Sequence, residues 1–158
     1  MIVRPITPED REWVAETIGT AFGSVRLMSN DHLIDDASLL DGFAAEVDGR
    51  AVGCALINEV DGDTELVALV STYRGAGVGS ALLEAVVARG KQDGWKRLWL
   101  VTSNDNTEAI RMYQRAGWDW VDFQRDAITR ARAIKPEIPV TGHHGIPLRH
   151  EIRFEAPL

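Results

Sequence analysis

The chain has 158 residues, of which 45% are hydrophobic and 26% charged, with a formal net charge of −7 and a single cysteine, Cys54. That length favours one domain, and a chain of this size buries roughly 70% of its unfolded surface, enough for a core without staples. The composition excludes an intrachain disulfide and a multi-cysteine zinc site, and the acidic balance argues against nucleic-acid binding by phosphate neutralisation.

In chain order, residues 2–6 form a short extended segment. Thr7-Pro8-Glu9-Asp10 is a helix start, with a threonine N-cap, proline at the first helical position and acids in the first turn. Trp13, Val14, Ile18, Ala21 and Phe22 recur at helical spacing, and Gly23 ends that helix. Residues 25–40 read as a weaker second helix carrying Leu27, Leu33, Ile34, Leu39 and Leu40.

Gly42–Val47 and Ala51–Glu59 read as strands joined by Asp48-Gly49, and Asp61-Gly62-Asp63 leads to a third strand at Glu65–Val70. An antiparallel meander follows from these turns. A helix begins at Val78, turns Leu82, Leu83, Val86 and Val87 inward, and closes at Gly94. Trp95–Val101 is a strand, and Asp105 with Glu108 gives a capping-box-like start to a helix that runs to Gly117. Trp118–Phe123 is a strand, residues around Ile128–Ile134 a basic helical piece, 136–147 a loop, and Leu148–Phe154 the last strand. The order β-α-α-β-β-β-α-β-α-β-β predicts one α+β domain over residues 1–158, with a mixed, mostly antiparallel sheet flanked by helices.

The densest signal is Arg74-Gly75-Ala76-Gly77-Val78-Gly79 between a strand and a helix. Glycines let the backbone adopt positive φ and approach a ligand, and a helix start offers unpaired N–H groups to an anion. A Walker loop is absent because Gly79 is followed by Ser80 and Ala81, with no lysine. A dinucleotide fingerprint is absent because its third glycine falls on Ser80 or Leu82. A tight turn without a ligand is the plain alternative.

The spacing Arg74-x-x-Gly77-x-Gly79 resembles the pyrophosphate-binding motif of the GNAT acetyltransferases. The segment Asn106-Thr107-Glu108-Ala109-Ile110-Arg111-Met112-Tyr113-Gln114-Arg115-Ala116-Gly117-Trp118 matches that family's second motif, with Trp118 in place of its phenylalanine. The two motifs and the elements between them cover about residues 63–123. Thr102–Asn106 and Gly145–Ile152 further resemble segments of small bacterial members.

The resemblance implies acetyl transfer from acetyl-CoA to an amine, on a small molecule or a protein, by direct attack on the thioester. It implies cofactor contacts from Leu69, Val70, Arg74, Gly75, Ala76, Gly77, Val78, Gly79 and Asn106, with an oxyanion donor among the N–H groups near Leu69 and Val70. It makes Tyr113 the general acid toward the thiolate. Glu65 is the preferred general base, read with Asp63 as sharing the face of Leu69 by strand alternation. A non-catalytic acyl-CoA-binding module is the rival reading, and a longer acyl donor or an O-acetyl acceptor a third. No signal-peptide region and no apolar run of bilayer length is present, so the expectation is a cytoplasmic protein with no membrane or nucleic-acid partner. A homodimer is left open, since many relatives dimerise.

Overall fold

A computed structural model describes all residues from Met1 to Leu158. Its elements are β1 (Ile2–Pro5), α1 (Arg11–Phe22), β2 (Leu27–Ser29), β3 (His32–Ile34), β4 (Asp41–Val47), β5 (Arg50–Val60), β6 (Asp63–Ser71), α2 (Val78–Asp93), β7 (Arg97–Ser103), α3 (Thr107–Arg115), β8 (Asp119–Gln124), α4 (Ala127–Ile134) and β9 (Glu151–Glu155). Packing groups them into two compact units. One holds residues 1–27, 34–98 and Leu158; the other holds 28–33 and 99–157.

In the first unit β1, β4, β5 and β6 pair in that order, every register antiparallel. The meander is the one the turns predict. Asp48 and Gly49 sit at φ 50° and 73°, and Asp61 and Gly62 at 54° and 81°, the paired positive φ values of tight hairpins. Helix α1 turns Val14, Thr17 and Ile18 onto one face of this sheet, where Ala44, Cys54, Leu56 and Ala68 meet them with Ile6, Leu27 and Ile34. Each fully buried aliphatic chain of this kind contributes about 1.5–3 kcal/mol. Helix α2 covers the other face, turning in Val78, Leu82, Leu83 and Val86. Gly53 of β5 lets it in: a Cβ there would stand 2.7 Å from Val78 Cγ1 and 2.8 Å from the Val70 carbonyl oxygen.

The N-terminal cap forms as read. The Asp10 carboxylate accepts the Thr7 N–H at 2.8 Å, and Pro8–Asp10 is a 3-10 turn leading into α1. Arg4 closes the corner, donating to Asp10 at 2.7 and 2.9 Å and to Glu46 at 2.9 and 2.5 Å.

The predicted second helix over 25–40 is not there. The segment is the hairpin β2–β3 followed by a 3-10 turn at Ala37–Leu39. Asn30 and Asp31 both take positive φ, 51° and 59°, which suits short polar side chains and makes a two-residue hairpin turn no helix could pass through.

In the second unit β7, β9 and β8 pair in that order, both registers antiparallel. Tyr113 of α3 packs on Phe154 and Trp118 with ring centroids 5.5 and 6.0 Å away, and Trp120 meets Phe154 at 5.8 Å. Arg153 stacks on Trp99 at 4.2 Å. The basic residues of α4 are structural: Arg130 pairs with Asp31 of the hairpin tip, and Arg132 donates to the carbonyls of Ile138, Pro139 and Leu148. No helix is long and apolar enough to cross a membrane.

Candidate active site

Strand β6 delivers the chain to the glycine turn. Residues 71–77 are all exposed, and burial resumes at Val78. Thr72 pins the start of the turn by donating both its N–H and its hydroxyl to the Val52 carbonyl, at 2.8 and 3.0 Å. Gly75 and Gly77 take φ 81° and 71°, and a Cβ on either would meet nothing within 4 Å. Glycine is required there by conformation, not by crowding.

Gly77 is the N-cap of α2, no side chain caps that end, and the first helical bond is the Ala81 N–H to the Gly77 carbonyl at 3.0 Å. The N–H groups of Val78, Gly79 and Ser80 precede that bond and so have no acceptor within the helix. Sixteen residues of helix stand behind them with their dipole directed the same way. Open space, an uncapped helix start and the exposed Arg74 together fit a diphosphate.

Upstream, β6 carries an irregularity that alternation alone could not reveal. Leu66 pairs with Ile57 and Ala68 with Leu56, so Val67 is an extra residue, a β-bulge. Pairs across a ladder share a face, and Ile57 and Leu56 lie on opposite faces. The bulge therefore moves Glu65 and Asp63 to the face of Ala68 and Val70. They do not share the face of Leu69, as simple alternation predicts. Glu65 is 5% exposed, so it is no solvent-facing carboxylate. Asp63 is paired with Arg97, which donates to its two oxygens at 3.0 and 2.5 Å. Leu69 and Val70 are half-buried beyond the bulge.

Asn106, Tyr113 and the segments that hold them belong to the second unit. Asn106 caps α3, its Oδ1 accepting the Ala109 N–H at 3.3 Å. Asp105 is not the cap. Its carboxylate, 3% exposed, instead accepts the N–H of His143 at 2.8 Å and the Ser103 hydroxyl. Glu108 likewise serves another partner, the His144 ring at 2.7 Å, which helps hold its carboxyl below the usual range after its own backbone N–H. Tyr113 is 7% exposed, and burial raises its pKa, keeping the hydroxyl protonated at neutral pH. Cys54 is fully buried, and desolvation pushes its thiol up to about 12.

Asn104 is a residue that sequence reasoning missed. Its Oδ1 accepts the N–H groups of Arg149 and His150 at 3.0 and 2.9 Å, while its Nδ2 donates to the Pro147 carbonyl at 2.9 Å. The two segments noted separately in the sequence, 102–106 and 145–152, are thus bonded to one another. Their co-occurrence was the only signal, because every acceptor and donor on the far side is backbone.

Similarity to known proteins places the chain in a family. Residues 13–118 match the model of the Acetyltransferase (GNAT) family. The uncharacterized protein YdhI of Bacillus subtilis is 40% identical over 117 residues, covering 73% of this chain and 72% of that protein. An uncharacterized N-acetyltransferase of Mycobacterium tuberculosis, Rv2669, is 33% identical over 110 residues, 68% of each chain. Among solved structures, a GNAT family acetyltransferase from Elizabethkingia anophelis with acetyl-CoA bound superposes with a TM-score of 0.69 at 18% identity, covering 99% of this chain and 97% of that one. With the family model spanning both motifs and the fold reproduced along nearly its whole length, this chain is a member of the GNAT acetyltransferase family, whose co-substrate is acetyl-CoA.

Proposed function

We propose that residues 1–158 form one domain that transfers an acetyl group from acetyl-CoA to an amine, on a small molecule or a protein, by direct attack on the thioester. The observation that carries this reading is the exposed, uncapped start of α2 behind the positive-φ turn at Gly75 and Gly77. Backbone N–H groups of Val78 and Gly79, with those of Gly75, Ala76 and Gly77 and the charge of Arg74, are assigned to the diphosphate of the co-substrate. Asn106 is assigned to its pantetheine arm, through the amide nitrogen that capping leaves unused.

The acetyl thioester supplies the electrophile. The rest of the chemistry is proton management and charge stabilisation. An alkylammonium of pKa about 10 carries no lone pair, so the acceptor must lose a proton first. Glu65 is assigned that task, directly or through a water, on the strength of its burial on the strand that leads to the turn. Backbone N–H groups at Leu69 and Val70 are assigned to the oxyanion. Tyr113 is assigned as the acid that protonates the departing thiolate, consistent with a buried hydroxyl that stays protonated. Cys54, with its thiol raised and no exposure, is no acyl-enzyme nucleophile. A cytoplasmic setting, where acetyl-CoA is available, goes with this reading.

Incubating the protein with acetyl-CoA and pooled primary amines, then reading the pools by mass spectrometry, tests the proposal. Acetylated amine formed only with protein present supports it. Tight acetyl-CoA binding with no acetylated product from any pool, protein lysines and N-termini included, would replace it with a non-catalytic acyl-CoA-binding module.

A further inference from the structure

Half-buried arginines in this fold donate to a carboxylate or a carbonyl, as Arg4, Arg11, Arg89, Arg97 and Arg132 all do. Arg153, in the middle of β9, is half-buried and does not. Its Nε is buried without a hydrogen-bond partner, and its guanidinium lies over the Trp99 ring, 4.2 Å from the centroid. Asp122, opposite it on β8, turns its Oδ1 to the Phe123 N–H at 2.9 Å instead. A guanidinium taken partly out of water without an acceptor is unfavourable. The stack on Trp99 offsets part of that and fixes the plane of the fork.

Arg153 pairs across the ladder with Val101 and Asp122, and its neighbour on the same face, Glu151, pairs with Gln124. Arg153, Asp122 and Gln124 therefore share one face of these strands, away from Phe154 and the Tyr113 ring packed on it. Gln124 Oε1 is also buried without a partner, while its Nε2 donates to Asn30 at 2.7 Å. One face thus holds an unmet donor and an unmet acceptor that do not bond each other.

We propose that Arg153 receives the carboxylate of the acceptor, which makes the acetylated amine an amino acid, with Gln124 Oε1 taking an N–H of the same molecule. This rests on acetyl transfer as the activity. A flat fork stacked on a ring meets a carboxylate in two parallel bonds. A phosphate dianion fits less well, because Glu151 and Glu155 flank Arg153 on its face and Asp122 stands opposite. Tyr113, assigned to the departing thiolate, is on the other face, so the two contacts do not compete for one place.

Calorimetry and acetyl-CoA-dependent thiol release, each with L-amino acids beside their carboxamides, test it. Acid and carboxamide differ in the charge that Arg153 reads, so the wild type alone gives an answer. At least one amino acid is expected to bind and react at least about a hundredfold better than its carboxamide. Arg153→Met, which keeps an apolar stem over Trp99, is expected to erase that ratio by raising KM for the acid, with carboxamide and acetyl-CoA affinity unchanged. Arg153→Lys is expected to recover part of it, since it restores the charge without the fork. Equal use of acid and carboxamide, or a ratio that survives in Arg153→Met, overturns the proposal. No binding by any amino acid while other amines are acetylated overturns it too and leaves the activity standing. Carboxylate-selective binding that Arg153→Met abolishes, with no thiol released, keeps Arg153 as the carboxylate site and overturns acetyl transfer instead.

Discussion

The carboxylate of Asp105 accepts the backbone N–H of His143 at 2.8 Å, joining positions 38 residues apart, immediately before the residue that caps α3. Gly142 makes room for it: a Cβ there would stand 2.1 Å from Asp105 Oδ2. Asn104 beside it holds the N–H groups of Arg149 and His150. One strand end thereby fixes the whole return from the loop to β9. Removing a buried acceptor costs about 1–3 kcal/mol. Asp105→Ala is expected to lower the melting temperature by several degrees. Amide exchange should speed up at His143 first, and exchange in β4–β6 should change only if the whole fold is loosened.

Gly77 and Gly94 bracket α2 and both adopt left-handed φ, 71° and 68°, and a Cβ added at either would meet no atom within 4 Å. Alanine at either carries the same conformational cost, about 1–2 kcal/mol. Only Gly77 lies at the end assigned to the diphosphate. Calorimetry with acetyl-CoA should show binding weakened at least tenfold by Gly77→Ala and unchanged by Gly94→Ala, while the two variants melt within a few degrees of one another. Equal affinities would separate the turn from cofactor binding.

The Arg4–Asp10 pair makes a prediction in pH. The Arg4 guanidinium, then the Thr7 N–H and hydroxyl, hold the Asp10 carboxyl well below the usual carboxylate range against the opposing effect of burial. A folded-state pKa below the unfolded value of about 3.9 means that the contribution is fully present above that value. It is lost as pH falls below it, because the unfolded chain takes up the proton first. Asp10→Asn is therefore expected to be less stable than wild type by about 1–3 kcal/mol at pH 7, with the gap narrowing below pH 4. Urea melts at pH 7 and at pH 3 measure it.

Much of this was legible in the sequence because it is local. Asp48-Gly49 and Asp61-Gly62 announce their hairpins, Thr7-Pro8 its cap, and the spacing of Arg74, Gly77 and Gly79 its anion turn. The misread segment, 25–40, shows why short strands are hard: Leu27 and Ile34, both buried, stand at a spacing helix and hairpin share. The Asn30-Asp31 turn between them was the signal to weigh. The bulge at Val67 in β6 and a second one in β8, where Val121 is extra between Trp120 and Asp122, were not legible at all, since a bulge is a property of two strands in register. The bonds of Asn104 were hidden for a related reason: its partners are backbone groups that carry no residue identity.

Glu65 changes face because of one of those bulges, and its assignment as base can be tested on that footing. Glu65→Gln keeps the shape and removes the proton acceptor. The expectation is a fall in kcat/KM of about 10²–10³-fold with the acidic limb of its pH profile abolished. Asp63→Asn, which breaks the pair with Arg97, should cost stability and leave that limb in place. A Glu65→Gln profile parallel to wild type and within tenfold of it would remove Glu65 from the chemistry.

Acetyl transfer with Tyr113 as the acid is the central claim, and the most direct measurement is acetyl-CoA-dependent thiol release, wild type beside Tyr113→Phe, with the amine pool that gives product. Phenylalanine preserves the packing on Phe154 and Trp118 and deletes only the hydroxyl. The expected result is a kcat at least about a hundredfold lower with acetyl-CoA affinity unchanged. Wild-type activity should show no alkaline loss from this group below about pH 10, since burial raises its pKa. Turnover in Tyr113→Phe within threefold of wild type would contradict the claim.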